Sequence, residues 1–230
     1  MGLRYSRAMG LRALKKEQTR RLIADTAFRL FAERGFDRVT VAEVAREAQV
    51  AEATVFNYFR TKEDLFYFRL EAFGERLLEA IGARAPGETV LAAFERFLLE
   101  AEGGLLEQVE AGDAGALERL RTVNRVIAAS PALLARERQA LARTTDALAE
   151  LLAAETGGSG EPGDDVAGRV AANALMGVHR ALIDLTRRRV LADDAPDGLA
   201  ADVRRLGKDA FRLLERGLGD YAVKPAVRER

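Results

Sequence analysis

The chain has 230 residues, enough to bury a sizeable core, and its 48% hydrophobic and 31% charged residues are typical of a globular protein. It contains no cysteine, which excludes a disulfide scaffold, thiolate catalysis and the common cysteine-rich zinc sites. The absence of cysteine fits a reducing cytoplasm best. No uninterrupted apolar run of about 18 residues occurs, so we expect no membrane span. Ala, Leu, Arg and Glu dominate, and these strong helix formers predict a mostly helical fold.

The net charge of zero conceals an uneven distribution along the chain. Residues 1–62 carry 13 Lys/Arg and 7 Asp/Glu, a net charge of +6, and the remainder carries a net −6. A basic segment is most often a solvated helix surface, and it favours a polyanionic partner only where recognition geometry accompanies it. The motifs of this segment therefore decide between the two interpretations.

The basic segment contains one amphipathic helix followed by a turn. Between Lys15 and Arg34 the apolar residues recur at spacings of three and four, as on one face of a helix. Gly35 comes next, where a left-handed residue ends a helix at low cost, and Phe36 can fold back over that end.

Two short helices follow, each bounded by capping signals. In "TVAE" the Thr40 hydroxyl can accept from the Glu43 amide while the Glu43 carboxylate reaches back, which is a capping box. The run "QVAEAT" interrupts the pattern, and a third helix begins at about Glu52. "TKED" then repeats the capping pattern with Thr61 as N-cap. Two short helices with a tight joint predict a helix-turn-helix, and the caps hold its second helix as groove reading requires.

The third helix carries three aromatic residues in four positions, "FNYF". Phe56 and Phe59 are three apart with Val55 nearby, and we predict that these three residues face the core. Tyr58 is then predicted to be the exposed aromatic residue. A long fourth helix is predicted from Lys62 to about Ile81, and "GARAPGE" breaks the helical pattern after it.

These linked motifs resemble the TetR-type bacterial transcription regulators. The resemblance rests on "TRRLIADTAFRLFAERGFDRVTVAEVAREAQVAEATVFNYFRTKEDLF", residues 19–66, and so covers about a fifth of the chain. It implies an all-α fold of about nine helices and a repressor that a small-molecule ligand releases from a palindromic operator. The implied domains are a basic arm with the helix-turn-helix (1–61), a connecting helix (62–84) and a ligand-binding and dimerisation domain (85–230).

The resemblance also implies which residues contact double-stranded DNA. In the family the first exposed residues of the recognition helix meet base edges, which here are Glu52 and Ala53, and Asn57 reaches a base or the backbone. Family phosphate contacts fall on the positions of Thr40, Thr54, Tyr58 and Lys62. Hydroxyl groups and a lysine ammonium suit that role, because both donate hydrogen bonds to phosphate oxygens.

Three residues depart from the family pattern. Ala51 stands where a Ser N-cap is frequent, and Phe56 replaces a frequent Tyr, so one cap and one phosphate-directed hydroxyl are missing. Glu52 is acidic where many relatives have a basic or small residue. Glu52 could accept from a cytosine amino group or serve as the N-terminal acid of its helix, and the sequence leaves both roles open.

Helices are predicted beyond the break at 88–111, 114–129, 131–155, 165–191 and 198–219, with a loop at Thr156–Asp165. The apolar stripes of the last two helices are wide. In the resembled family these two helices form the homodimer interface, and Ala174, Gly177 and Ala181 would permit close approach. Burial of the stripes within the monomer is the alternative.

A small-molecule effector would fit between the helices of the C-terminal part, because pockets form between the helices of bundles. Polar or soft groups within apolar patterns are the clues. Asn173, Met176, Gly177 and Arg180 are predicted to share one helix face. The candidate pocket residues are Phe94, Phe97, Asn124, Asn173, Met176, His179 and Arg180.

No catalytic residue, metal ligand or cofactor site is indicated. His179 is the only histidine, and the sequence has no Gly-rich phosphate loop, nucleophile elbow or metal-ligand cluster. A helical enzyme that depends on His179, a protein-interaction module with a basic end, and a ligand-independent regulator or activator stay open as alternatives.

Overall fold

The computed structural model describes residues 3–68, 72–100, 114–156, 166–192 and 198–217. These residues form ten α-helices and no strand, which confirms the all-α prediction. The helices are α1 (Leu3–Arg34), α2 (Val41–Glu47), α3 (Glu52–Tyr58), α4 (Lys62–Tyr67), α5 (Ala72–Gly82), α6 (Val90–Leu99), α7 (Ala114–Ala129), α8 (Pro131–Thr156), α9 (Val166–Leu191) and α10 (Leu199–Arg216).

The helix bounds follow the predicted ones closely, with four differences. Helix α1 begins at Leu3, well before the predicted start at Lys15. The predicted helix from Lys62 to Ile81 corresponds to α4 and α5, and residues 69–71 between them lie outside the described residues. The helix predicted to reach residue 111 ends at Leu99, because the backbone of Glu100 leaves helical geometry. The last helix ends at Arg216 rather than 219, because Gly217 follows at φ 78°. The predicted loop after Thr156 falls on residues 157–165, outside the described part.

The chain forms two compact units. The first unit comprises Met1–Ala72 and Thr122–Ala140, and the second comprises Phe73–Arg121 and Leu141–Arg230. Two of the boundaries therefore fall inside α7 and α8. The functional division at residues 61/62 and 84/85 stays a prediction.

The core of the first unit is built mainly from α1 to α4. Ile23, Ala27, Leu30 and Phe31 follow the three-four spacing of α1 and are 0% exposed. Phe66 of α4 packs in the same cluster, where its ring lies 6.2 Å from that of Phe31.

The segment 122–140 completes this core from the distant part of the chain. Val126, Ile127 and Leu133 belong to the same buried cluster as the α1 residues. The Tyr67 hydroxyl donates to the Leu133 carbonyl oxygen at 3.0 Å. Because buried apolar contacts and a buried hydrogen bond both tie the segment down, it is an integral part of the first unit.

Two partly buried polar contacts hold the same segment. The Ser130 hydroxyl donates to Asp37 Oδ1 at 2.9 Å. Arg136 Nη2 lies 3.2 Å from Asp64 Oδ1, with both side chains largely buried. Asp64 also caps α4, so one carboxylate serves the helix N-terminus and the 122–140 segment together.

The second unit buries its apolar residues between α5, α6, α8, α9 and α10. Phe94, Leu98, Leu148 and Phe211 are among its fully buried side chains. Helix α10 approaches α6 closely at Gly207, where an added Cβ would lie 2.8 Å from Leu99 Cδ2. A larger residue there would push aside the tip of the buried Leu99 side chain, so the absence of a side chain allows this close packing.

Candidate nucleic-acid interface

Helix α2 begins at the predicted capping box. The Thr40 hydroxyl accepts from the Glu43 amide at 3.2 Å, and Glu43 Oε2 accepts from the Thr40 amide at 2.8 Å. The backbone hydrogen bond from Thr40 is the main cause that lowers the pKa of the Glu43 carboxyl. Thr40 is exposed, so its position at the start of α2 is fixed while the side chain stays accessible.

The turn between α2 and α3 is a Schellman motif centred on Gln49. The Val50 amide donates to the Ala45 carbonyl at 2.9 Å, and the Gln49 amide donates to the Arg46 carbonyl at 3.1 Å. Gln49 has φ 55° and is the one non-glycine residue with positive φ in the described part. The sequence predicts the tight joint but not its left-handed residue, because glycine, which favours that conformation, is absent.

We expect the stability of Gln49 variants to depend on how readily the new residue adopts the left-handed backbone conformation. Gln49→Val should lower the free energy of unfolding by about 1–2 kcal/mol, because a β-branched side chain is strained at positive φ. Gln49→Gly should raise it by about 0.5 kcal/mol, because glycine adopts this φ freely. Urea unfolding followed by far-UV circular dichroism measures both. Equal stabilities of the two variants would contradict the assigned turn geometry.

Helix α3 turns a different face to the core than the sequence predicts. Val55 and Phe59 are buried, at 1% and 3% exposure, but Phe56 is 51% exposed. The prediction that Phe56 faces the core is therefore wrong. Val55 and Phe59 are four residues apart and share the inner face, which leaves Phe56, about 100° around the helix from Val55, on the outside.

The exposed face of α3 consists of four residues, which we call the reading face: Glu52, Ala53, Phe56 and Asn57. Ala53, Phe56 and Asn57 follow Glu52 by one, four and five residues, so the four side chains lie next to one another on one helix surface. Thr54 and Tyr58 are half-buried at its margin, and Tyr58 packs against the core of the first unit. The exposed aromatic residue of this helix is therefore Phe56 rather than Tyr58.

Lys62, the first residue of α4, lies partly buried against aromatic rings. Its Nζ is 4.2 Å from the centroid of Phe36 and 5.7 Å from that of Phe31. Partial burial lowers the pKa of the Lys62 ammonium, an effect that nearby Asp37 opposes. Arg20 of α1 makes a similar contact, with its guanidinium carbon 4.5 Å from the centroid of Phe68.

Comparison with known proteins agrees with this geometry. Residues 23–67, which run from the buried part of α1 to the end of α4, match the family described as "Bacterial regulatory proteins, tetR family". The chain carries a tetR-family N-terminal domain. The resemblance read from the capped helix-turn-helix is thereby confirmed.

A curated relative is similar to this chain beyond the tetR-matched residues. The HTH-type transcriptional regulator TcmR of Streptomyces glaucescens is 31% identical over 152 residues, which cover 64% of this chain. The match spans 65% of TcmR, a little less than two thirds of that protein.

Solved structures share the fold, and two of them are compared with this chain. Native NalD, the secondary repressor of the MexAB-OprM multidrug efflux pump in Pseudomonas aeruginosa, has a TM-score of 0.56 and 24% identity, covering 85% of this chain and 96% of NalD. The fatty acid degradation regulator FadR from Bacillus halodurans has a TM-score of 0.50 and 20% identity, covering 90% and 97%. At these identities the likeness shows the helical fold alone.

The structure divides the predicted pocket residues of this tetR-domain protein into three places. Phe94, Phe97, Met176 and His179 are buried in the second unit. Asn124 is buried in the first unit.

The third place is the exposed face of α9, which holds Asn173 and Arg180. Met176, at the edge of the same helix face as Asn173, Gly177 and Arg180, is buried, whereas the other three are exposed. Asn173 Nδ2 donates to the Arg169 carbonyl at 2.8 Å, so its amide serves its own helix.

No group of three or more His, Cys, Asp or Glu side chains lies close enough to hold a metal ion among the described residues. None of the described helices is long and apolar enough to cross a membrane.

Proposed function

We propose that this protein is a sequence-specific DNA-binding transcription repressor of the cytoplasm. It acts as a homodimer, and a small-molecule effector releases it from a palindromic operator. The observation that carries the proposal is the reading face of α3, which exposes both polar and apolar groups. Helix α3 is held in place by the Schellman turn before it and by the capped start of α4 after it. The tetR-family match over residues 23–67 and the basic N-terminal segment support it.

The four members of the reading face suit three different base edges in the major groove. Asn57 can make two hydrogen bonds to adenine, and Glu52 can accept from the cytosine amino group. Ala53 and the half-exposed ring of Phe56 suit the thymine methyl group, because apolar contact is the only recognition that methyl allows. The face therefore favours a half-site of mixed composition.

The residues around the reading face suit the DNA backbone. The hydroxyl groups of Thr54 and Tyr58 can donate to phosphate oxygens at the margins of the groove. The Thr40 hydroxyl donates to Glu43 Oε2 at 3.0 Å and would have to turn away from that carboxylate to donate to a phosphate. Lys62 keeps its three N–H donors while its stem and charge rest on Phe36, so its ammonium is preoriented for a phosphate. These contacts set affinity and register, and their loss weakens binding to all sequences alike.

The outer face of α9 suits a second copy of the chain. Val166 and Val170 are 67% and 62% exposed, and Asn173, Gly177 and Ala181 continue the same stripe at helical spacing. Exposed valines and small residues on one stripe favour close packing against an identical helix. Much of the α10 stripe, including Leu199 and Val203, is instead buried within the second unit, so α10 contributes less to the dimer face than predicted.

Release by an effector requires two states of the dimer. In one state the two α3 helices lie about 34 Å apart and fit successive major grooves. The effector must bind more tightly to the state that does not fit, since equal affinity for both states would shift nothing. The protein performs no chemical conversion in this scheme.

Selection from random DNA tests the proposed function. The full-length protein is mixed with a randomised duplex library, bound DNA is recovered over several rounds, and the enriched sites are sequenced. An inverted repeat with half-site centres about 10 base pairs or a multiple apart is expected from a two-fold dimer. Enrichment of no motif, with binding equal to that of random DNA, would reject sequence-specific recognition.

We expect substitution of Phe56 to weaken DNA binding through the loss of contact with one particular base. Phe56→Ala should weaken binding to the selected site by about tenfold, because each good base contact contributes roughly 1–3 kcal/mol. Replacing the contacted thymine by deoxyuridine removes only the methyl group and should weaken the wild-type protein but not Phe56→Ala. Fluorescence anisotropy at fixed salt measures both. Equal sensitivity of the two proteins to deoxyuridine at every position would contradict the thymine contact.

A further inference from the structure

The positive charge of the N-terminal part does not lie on the helix-turn-helix itself. Residues 23–62 carry six Lys/Arg and six Asp/Glu, so this segment has no net charge. Two of its cations, Arg29 and Arg34, also form ion pairs with glutamates of the same segment. DNA affinity depends strongly on how many phosphates are neutralised by cationic side chains. The helix-turn-helix therefore brings no surplus of positive charge to a DNA surface.

The surplus lies in the residues that come before it. Residues 1–22 carry seven Lys/Arg and one Asp/Glu, a net charge of +6. The one acid, Glu17, pairs with Arg21, whose Nε lies 2.8 Å from Glu17 Oε1. Lys15 and Lys16 are exposed, and neither has an ion-pair partner in the described part of the chain. These two ammonium groups are accessible to an anionic partner.

The surplus cations lie on a helix that extends beyond the core of the first unit. Helix α1 begins at Leu3, whereas Ile23 is the first buried residue among those described. None of residues 13–22 is buried. At 1.5 Å per residue, the twenty residues before Ile23 span about 30 Å. We call residues 3–22 of α1 the N-terminal extension.

The N-terminal extension joins the core beside the helix that carries the reading face. The guanidinium carbon of Arg20 lies 5.6 Å from the ring centroid of Phe59, the residue that ends α3. The same carbon lies 4.5 Å from the centroid of Phe68. A helix of about 30 Å that starts at this point is long enough to follow about nine base pairs of DNA, at 3.4 Å each.

The side chains of the extension suit a polyanion rather than a lipid surface. Leu14 and Leu22 are 55% and 52% exposed, but each shares its side of the helix with a cation. Arg21 is seven residues from Leu14, and Lys15 is seven residues from Leu22, so each pair points in nearly the same direction. A helix that lies on a membrane needs a separate apolar face, which residues 13–22 do not form.

We propose that the N-terminal extension is a second DNA-binding surface, which contacts the phosphate backbone of the duplex that flanks the site read by α3. This proposal rests on the proposed DNA-binding function and adds a surface that reads no sequence. Lys15 and Lys16 pair with phosphates and displace their counterions, so the extension raises affinity for all sequences and makes binding more dependent on salt. The reading face then selects the site.

Fluorescence anisotropy of the full-length protein with two duplexes tests the proposal. One duplex ends at the inverted repeat enriched from random DNA, and the other has about ten further base pairs at each end. Wild type should bind the longer duplex at least about tenfold more tightly, and Lys15→Gln/Lys16→Gln should lose most of this gain. Because the variant homodimer lacks four cations, its plot of log K against log salt should be less steep by about 3.6, or 0.9 per phosphate.

The matched control removes the same charge from another helix. Arg138 and Arg143 of α8 are exposed, and Arg138→Gln/Arg143→Gln should keep the salt dependence of wild type and its preference for the longer duplex. Thermal unfolding checks that the two double variants are folded. Both should melt within about 2 °C of wild type, because all four substitutions are at exposed positions.

The proposal is overturned if Lys15→Gln/Lys16→Gln and the control variant show the same salt dependence and the same preference for the longer duplex. Binding to phosphatidylcholine vesicles with about 30% phosphatidylserine is measured as well. Loss of vesicle binding in the lysine variant, with DNA binding unchanged, would assign the extension to a membrane surface and reject the proposal.

Failure of this proposal is distinguishable from failure of the proposed function. If random DNA yields an enriched motif and the lysines have no effect, the second surface alone is rejected. If no motif is enriched but the lysines still set the salt dependence on random duplexes, sequence-specific recognition is rejected and the contact of the extension with the DNA backbone is supported.

Discussion

Replacing Leu133 with alanine should lower the free energy of unfolding of the first unit by about 2–5 kcal/mol, the usual cost of truncating a fully buried leucine. Leu133 is 0% exposed and packs in the cluster that contains Ile23 and Phe31 of α1. The substitution leaves the backbone carbonyl that accepts from Tyr67 in place, so the loss reports apolar packing. Urea unfolding followed by circular dichroism measures the change.

The matched control for Leu133 is another leucine of the same unit. Leu22 is 52% exposed, and Leu22→Ala should change stability by less than about 0.5 kcal/mol. We also expect Leu133→Ala to lose DNA binding at a lower urea concentration than wild type, because α1 and α4, which frame the reading helix, share its core. Equal effects of the two substitutions would mean that residues 122–140 are not part of this core.

The pH dependence of stability should carry a contribution from His179. Burial lowers the pKa of His179 from the ordinary 6.5 to about 4. Above pH 6.5 the imidazole is neutral in both states and contributes nothing to the pH dependence. As the pH falls below 6.5 the unfolded chain binds a proton that the folded protein excludes, so stability falls. The loss approaches about 3 kcal/mol near pH 4 and then levels off.

Comparison with His179→Phe isolates this contribution. Carboxyl groups also titrate in acid, and those of Glu43, Glu88 and Glu155 have lowered pKa values, so they too cost stability as pH falls. Because both proteins share these carboxyl groups, the difference between their unfolding free energies at pH 7 and pH 4.5 reports the histidine. A difference that stays constant over this range would show that His179 titrates normally.

Local signals in the sequence predicted the parts of the fold that local interactions determine. The capping boxes at Thr40 and Thr61 and the break after Arg34 fixed helix starts and ends, because each needs only residues within one turn. The bounds of α7 to α9 were likewise predicted to within about two residues.

The predictions from sequence were wrong where tertiary packing or an unusual residue determines the local structure. Phe56 and Phe59 are three apart and Val55 and Phe59 are four apart, and the sequence alone does not show which pair faces the core. Gln49 holds a left-handed turn without the glycine that would announce it. The packing of Leu133 beneath Tyr67 joins residues 66 apart, and no local pattern encodes such a contact.

The ligand-pocket residues stay a prediction. His179 was selected as a polar group within an apolar pattern, and its side chain is buried in the second unit. Asn173 and Arg180 were selected for polarity, but their positions on α9 turn them toward solvent.

The most direct test of sequence-specific DNA binding is a gel shift with the DNA just upstream of the gene that encodes this protein, since autoregulation is common in the resembled family. Labelled upstream duplex and a scrambled duplex of equal length are titrated with wild-type protein at several stated salt concentrations. We expect the upstream duplex to bind at least about 1000-fold more tightly than the scrambled one, and both affinities to fall as salt rises. Equal affinity for the two duplexes, together with failure to enrich any motif from random DNA, would contradict the assignment of α3 as a recognition helix.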